Sequence, residues 1–366
     1  MGSSFDLHLP EDLTREILLR LPARSVAMFR CVSTVWLSIS TDPSFILSHA
    51  RRAPKFLLVR SACANKYIKL PASGLSTTGG ISKRGVVRIS DEAMSSCDGL
   101  VCFRGITERF ALKTYYAHNP LSSLQIRMPT PGSMHTLKNS VCELYWNGRR
   151  GEYQLLNISQ HCRPNYHLRA VVLSSHYSSR EIYRVPFVTD LKKQSCVLVN
   201  DCLYWTCRRS YPKSIGILVF HTLKESFSLM QLPSNGKKVS ASFENYGLVE
   251  MEGELGYWTA ELCKSRSVRV EIWTQMSGDE KWRNTHSLCL AGDVMSSFCF
   301  PKFLFACFEE GGFVCLFKDG GLYLLHWDVR SGKSYIEKLP MTDIAVLPPA
   351  RIHRETLVNP PSYLSY

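Results

Sequence analysis

The apolar positions along the chain change period near residue 50. Before that point they recur as they do in helices. Leu13, Ile17 and Leu21 stand four residues apart and Leu18 widens the stripe, a spacing that places side chains on one helical face. Pro10 suits the first helical position, where its missing N–H is no loss, and Glu11 and Asp12 follow where the helix dipole favours negative charge. Pro22 stops this helix. A second short helix is predicted after Ser25 as N-cap, with Val26, Phe29 and Val32 on one face. A third runs near Ser33 to Ser40 and carries Trp36 and Leu37, and Asp42-Pro43 then punctuates the chain. Three short helices cannot bury this much apolar surface among themselves. Either the rest of the chain or a partner must cover the surplus.

From Lys55 onward the period becomes that of strands. Short β-branched and aromatic runs alternate with turn residues, as hairpins require. The hairpins repeat. KFLLVRSACANKYIKLP ends at Pro71, YYAHNPLSSLQIRMP at Pro129, AVVLSSHYSSREIYRVP at Pro186, ILVFHTLKESFSLMQLP at Pro233 and LYLLHWDVRSGKSYIEKLP at Pro340. A sixth copy, Val270 to Leu290, keeps the hairpin and lacks the proline. A turn followed by an apolar strand precedes several of them: DGLVCF after Cys97, NDCLYWT from Asn200, EGELGYW from Glu252 and EGGFVCLF from Glu310. Two registered elements per unit of roughly fifty residues is the period of a propeller blade of the kelch type. Such units bury their apolar faces only by stacking, and closing the ring protects the edges. Trp205, Trp258, Trp273 and Trp327 recur at blade-like positions and are expected between blades. A pair of β-sandwiches is the alternative, although sandwiches need no fixed period.

The residues of both parts carry a resemblance. LPEDLTREILLRLP (Leu9 to Pro22), SVAMFRCVSTVW (Ser25 to Trp36) and DPSF (Asp42 to Phe45) closely resemble the F-box. CDGLVCF, HNP at His118 to Pro120, NDCLYW and EGELGYW resemble recurring phrases of the F-box-associated domain of plant F-box families. The resemblance implies an α+β multidomain fold: a three-helix F-box over residues 1–50, then a mainly-β, propeller-like domain of about six imperfect repeats over residues 51–366. It implies that Leu9, Pro10, Leu13, Ile17, Leu18, Leu21, Pro22, Val26, Arg30, Cys31, Val32, Trp36 and Leu37 dock a Skp-type adaptor, which links the chain to a cullin. Met28 and Thr34 stand where relatives often carry basic residues, and Val26 where Leu is common. The β-domain is then expected to hold a protein substrate for a Skp-cullin-F-box (SCF) ubiquitin ligase. Two alternatives stay open: an F-box scaffold acting outside a ligase, and a β-propeller enzyme or sugar binder.

Composition narrows the chemistry. The 366 residues are 45% hydrophobic and 20% charged, as in a folded soluble protein. No apolar run approaches a membrane span, and the N-terminus has no basic-then-apolar leader. The 14 cysteines include no C-x-x-C pair. They are expected to pack as free thiols, in a protein of the cytoplasm or nucleus. No nucleophile elbow, dinucleotide fingerprint, P-loop or H-E-x-x-H stands in the chain. No catalysis and no cofactor or metal are therefore expected, and Asn157-Ile158-Ser159 is a sequon with no enzyme to meet. The net charge is +13, yet the first fifty residues hold four arginines against five acids. The excess belongs to the β-domain, in dispersed pairs that read as solvated loops more than as a nucleic-acid groove. Propeller loops converge on two faces, so Arg149, Arg150, Arg208, Arg209, Lys237 and Lys238 are expected to line one or more positive loop faces. An acidic or phosphorylated target is the substrate such loops would grip.

Overall fold

The computed structural model describes residues 9–60, 66–71, 85–88, 92–106, 113–128, 140–160, 168–174, 179–182, 185–186, 188–191, 196–209, 214–233, 246–263, 267–275, 281–290, 302–309, 311–318, 322–339 and 351–358. Helices come first: α1 (Glu11–Leu19), α2 (Ala23–Phe29), α3 (Thr34–Thr41) and α4 (Pro43–Arg52). The expected three are four. Asp42-Pro43 starts a helix: the Asp42 carboxylate accepts the Phe45 amide at 2.8 Å as N-cap, and Pro43 takes the first turn. The second helix begins at Ala23, before the Ser25 expected to cap it, with Pro22 in the N-cap position. Leu18, Leu19, Ala23, Val26, Ile39 and Phe45 form the helical core. Among the described residues no helix is long and apolar enough to cross a membrane.

Behind them the described strands form six antiparallel sheets that succeed one another along the chain. Blade 1 is β1 (Lys55–Arg60), β2 (Lys66–Pro71) and β3 (Gly85–Arg88), to which the distant β25 (Arg351–Arg354) adds in front of β1. Blade 2 is β4 (Glu92–Cys97), β5 (Leu100–Ile106), β6 (Lys113–His118) and β7 (Gln125–Met128). Blade 3 is β8 (Ser140–Asn147), β9 (Glu152–Gln160), β10 (Leu168–Ser174) and β11 (Ser179–Ile182). In blade 4, β12 (Val188–Leu191) and β13 (Val197–Val199) share the first position against β14 (Cys202–Arg209), followed by β15 (Ser214–His221) and β16 (Ser226–Met230). Blade 5 is β17 (Tyr246–Met251), β18 (Glu254–Leu262), β19 (Val268–Gln275) and β20 (Trp282–Leu290). Blade 6 is β21 (Lys302–Glu309), β22 (Gly312–Lys318), β23 (Leu322–Asp328) and β24 (Ser334–Leu339).

This is the expected propeller-like arrangement. All six hairpins exist. Five are the third and fourth strands of their blades. The first, β1–β2, is second and third, because β25 fills the leading place. The turn phrases are the hairpins between first and second strands. Asp98-Gly99, Asn200-Asp201 and Glu252-Gly253 all have φ between 46° and 87°, as two-residue turns between twisted strands require. At Gly99 a side chain would also strike the Arg354 carbonyl and Thr356.

Neighbouring blades pack through aromatic and aliphatic layers. Trp205 lies between blades 3 and 4, Trp273 between blades 4 and 5, and Trp258 and Trp327 between blades 5 and 6. First strands meet around the ring interior, β25 with β4, β4 with β8 and β17 with β21. Lys55, buried at the start of β1, joins three blades: its ammonium donates to the Phe308 carbonyl at 2.8 Å and to the Glu250 carboxylate. Burial alone would push the Glu250 carboxyl up. Lys55, the Gly253 amide and Arg354 together hold it below the usual carboxylate range.

The hairpin turns sit on one face of the ring. Asn200 Nδ2 donates to the Gly253 carbonyl, Arg330 pairs with Glu252, and Tyr153 Oη donates to Asp98. The first two contacts join turns of adjacent blades, and the third joins the β4–β5 turn to the start of β9 in the next blade. Strand direction then places the ends of the fourth strands on the opposite face, at Met128, Met230, Leu290 and Leu339.

Candidate docking surfaces

The helical module presents an uncovered apolar surface. On α1 the four-residue spacing splits the helix. Thr14, Leu18 and Leu19 face inward and are buried, while Leu13 and Ile17, continued by Leu9 ahead of the helix, stay outside. Leu9, Leu13, Ile17, Met28, Val32 and Leu37 are each between 42% and 62% exposed. Seven of the eleven exposed large apolar side chains among the described residues lie in the first fifty positions. A monomer rarely leaves such a concentration open.

The other docking candidates divide by place. Pro10, Pro22 and Cys31 are exposed, and Leu21 and Trp36 are half-buried. Trp36 meets Phe29 edge to face at 5.3 Å, which fixes α3 against α2. Leu18 and Val26 are wholly buried, so they bear on docking through the module's own packing. Arg30 is half-buried and its guanidinium donates to the Ser40 carbonyl at 2.9 Å and hydroxyl at 3.3 Å. Burial draws its pKa below the ordinary arginine value, and its structural work is to tie the end of α2 to α3. Met28 and Val35 were not among the sequence candidates, yet both are open. Only burial distinguishes them.

The basic pairs do not gather at one place. Arg149 and Arg150 are exposed in the β8–β9 turn, on the hairpin-turn face. Arg150 lies 3.7 Å from Glu225, which also pairs with Arg180. Arg208 and Arg209 end strand β14, away from its Asn200-Asp201 turn, and so lie toward the other face. Arg208 is exposed and stands across the ladder from Asp190. A turn had been expected there, but alternation along β14 turns Arg208 outward beside the buried Cys207. Lys237 and Lys238 lie outside the described residues.

The helical module sits on the hairpin-turn face. Leu121 of the β6–β7 turn and Leu357, after β25, pack into the helical core. Asn119 Nδ2 donates to the carbonyls of Thr356, at 3.0 Å, and Val358, and Thr356 Oγ1 donates to the Asp98 carbonyl at 2.6 Å. Arg354 donates to the Ala53 carbonyl beyond α4. Burial pushes the Cys97 and Cys102 thiols well above their ordinary value, far from what a nucleophile at neutral pH needs.

Comparison with known proteins supplies the family. A family model described as F-box domain matches residues 7–48, and one described as F-box associated beta propeller domain matches residues 69–334. A putative F-box protein of Arabidopsis thaliana is 64% identical over 47 residues, a match covering 13% of this chain and only 12% of that relative. A second putative F-box protein of the same plant is 24% identical over 83% of this chain and 77% of its own. An F-box/kelch-repeat protein, also of Arabidopsis thaliana, is 22% identical over 96% of each chain.

Proposed function

Because the chain belongs to the F-box proteins that carry an F-box associated beta propeller domain, we propose that it is the substrate-recruiting subunit of an SCF-type ubiquitin ligase in the cytoplasm or nucleus. The F-box docks a Skp-type adaptor and through it a cullin. The β-domain holds the target, and other subunits do the ubiquitin chemistry. One observation carries the reading: the helices seal one side against Leu121 and Leu357 and leave Leu9, Leu13, Ile17, Val32 and Leu37 open.

The double variant Leu13→Ala, Ile17→Ala tests it in the full chain. Both side chains are exposed on a helix that alanine favours, so the melting temperature should hold. Burying such side chains in a partner is worth about 1.5–3 kcal/mol each. Allowing for their partial burial already, the loss is about 2–4 kcal/mol, roughly 30-fold to several-hundred-fold in adaptor affinity by titration calorimetry. Adaptor binding as tight as that of the unaltered chain would remove the docking model.

For the target, the face away from the helices is free of the F-box, and Arg208 lies toward it. The proposed target presents an acidic or phosphorylated segment there. With a target in hand, Arg208→Ser should weaken binding several-fold at about 0.1 M salt and change little at about 1 M, where screening falls within about 3 Å. Affinity indifferent to both changes would assign recognition to an apolar pocket.

A further inference from the structure

A groove of about 280 Å³ runs between α2 and the β6–β7 turn, lined by Arg24, Met28 and Arg30 on the helical side and by Leu121, Ser122 and Leu357 on the other. We infer that the adaptor docked on the F-box also fills this groove, with an acidic segment that carries an apolar side chain, and so touches the β-domain directly. The inference rests on the ligase reading above.

Three observations select this occupant. First, the groove adjoins the open surface of the F-box: Met28, near the end of α2, lines it at 61% exposure, and Val32, in the turn that follows that helix, is 62% exposed. Second, the groove is basic. Arg30 is committed to Ser40, whereas Arg24 is exposed and has no acidic partner among the described residues. An aspartate or glutamate gives that guanidinium a forked, charge-assisted pair. Third, the floor is apolar, with Leu121 half-buried and Leu357 buried, so a carboxylate alone would leave it wet. One segment bearing both an acid and an apolar residue matches the lining.

Ser122 is exposed and belongs to the β-domain, which makes it a clean probe. Full-length protein and purified Skp-type adaptor would be measured by biolayer interferometry with Ser122→Trp, which blocks the groove, and with Arg24→Glu, which reverses its charge. Each should weaken binding roughly tenfold with an unchanged melting temperature, and the Arg24→Glu deficit should shrink from about 0.1 M to about 1 M salt. Hydrogen exchange should show residues 119–122 protected in the complex. Unaltered affinity in Ser122→Trp together with unprotected 119–122 would overturn the inference. So would tighter adaptor binding after removal of residues 359–366, because the chain's own tail would then be the occupant. If the unaltered chain fails to bind any adaptor, the ligase reading falls as well. Binding that ignores both groove variants removes the groove contact alone.

Discussion

A chain lacking residues 351–366 should fail to melt as one cooperative β-domain, while one lacking only 359–366 should keep that transition. The difference is β25 and the three buried residues that follow it. Its four residues pair with β1 from Lys55↔Arg354 to Leu58↔Arg351. Without it β1 becomes an open edge beside blade 2. Leu57 and Leu58 are both wholly buried, and exposing each such side chain costs about 1.5–3 kcal/mol. The Lys55–Glu250 pair also loses Arg354, one of the groups that hold the Glu250 carboxyl low. Against a total of about 5–15 kcal/mol for a typical domain, the loss takes a large share. Circular dichroism against urea reads the outcome directly. Equal midpoints and slopes for both truncations would mean that the six sheets stand without ring closure.

The second large effect is expected at Leu357. This side chain is 4% exposed and belongs to the core of the helices, with Leu18, Val26 and Phe45, although its backbone follows β25, the leading strand of blade 1. Removing a buried leucine side chain costs about 2–5 kcal/mol, more than four short helices can spare. Leu357→Ala should therefore loosen α1–α4 selectively. Their amides should exchange at least tenfold faster, since about 1.4 kcal/mol already makes that factor, while β-sheet amides keep their protection. Equal exchange in the two proteins would show that the helices hold together without this strap.

The sequence made the local elements legible and left the long-range ones hidden. Leu13, Ile17 and Leu21 announce a helix because period is a local property, and each hairpin carries its own turn. The β25–β1 pairing has no local trace. For that reason KFLLVR to KYIKLP read as the equal of the other hairpins, although it stands one strand out of step. Asp42-Pro43 carried both a stop and a start signal, and the start prevailed because the Asp42 side chain caps the Phe45 amide. In the docking surface, Leu13 and Leu18 look alike as letters. The β-domain and the other helices decide that one is open and the other sealed. The basic pairs needed strand direction, which puts Arg150, in the β8–β9 turn, and Arg208, at the far end of β14, toward opposite faces.

The pairing of Arg354 with the carbonyl of Ala53 spans 301 positions of the chain. On a ribosome adding about 5–20 residues each second, that separation is roughly 15 to 60 s. For that interval the emerging F-box helices lack Leu357, and the first β-strand hangs with a bare edge. Chaperones have that window in which to bind β1, and a ribosome halted by a premature stop codon releases a chain with neither part finished. Nascent chains should thus be poor competitors for the adaptor until residues 351–358 emerge, which keeps incomplete translation products from occupying it.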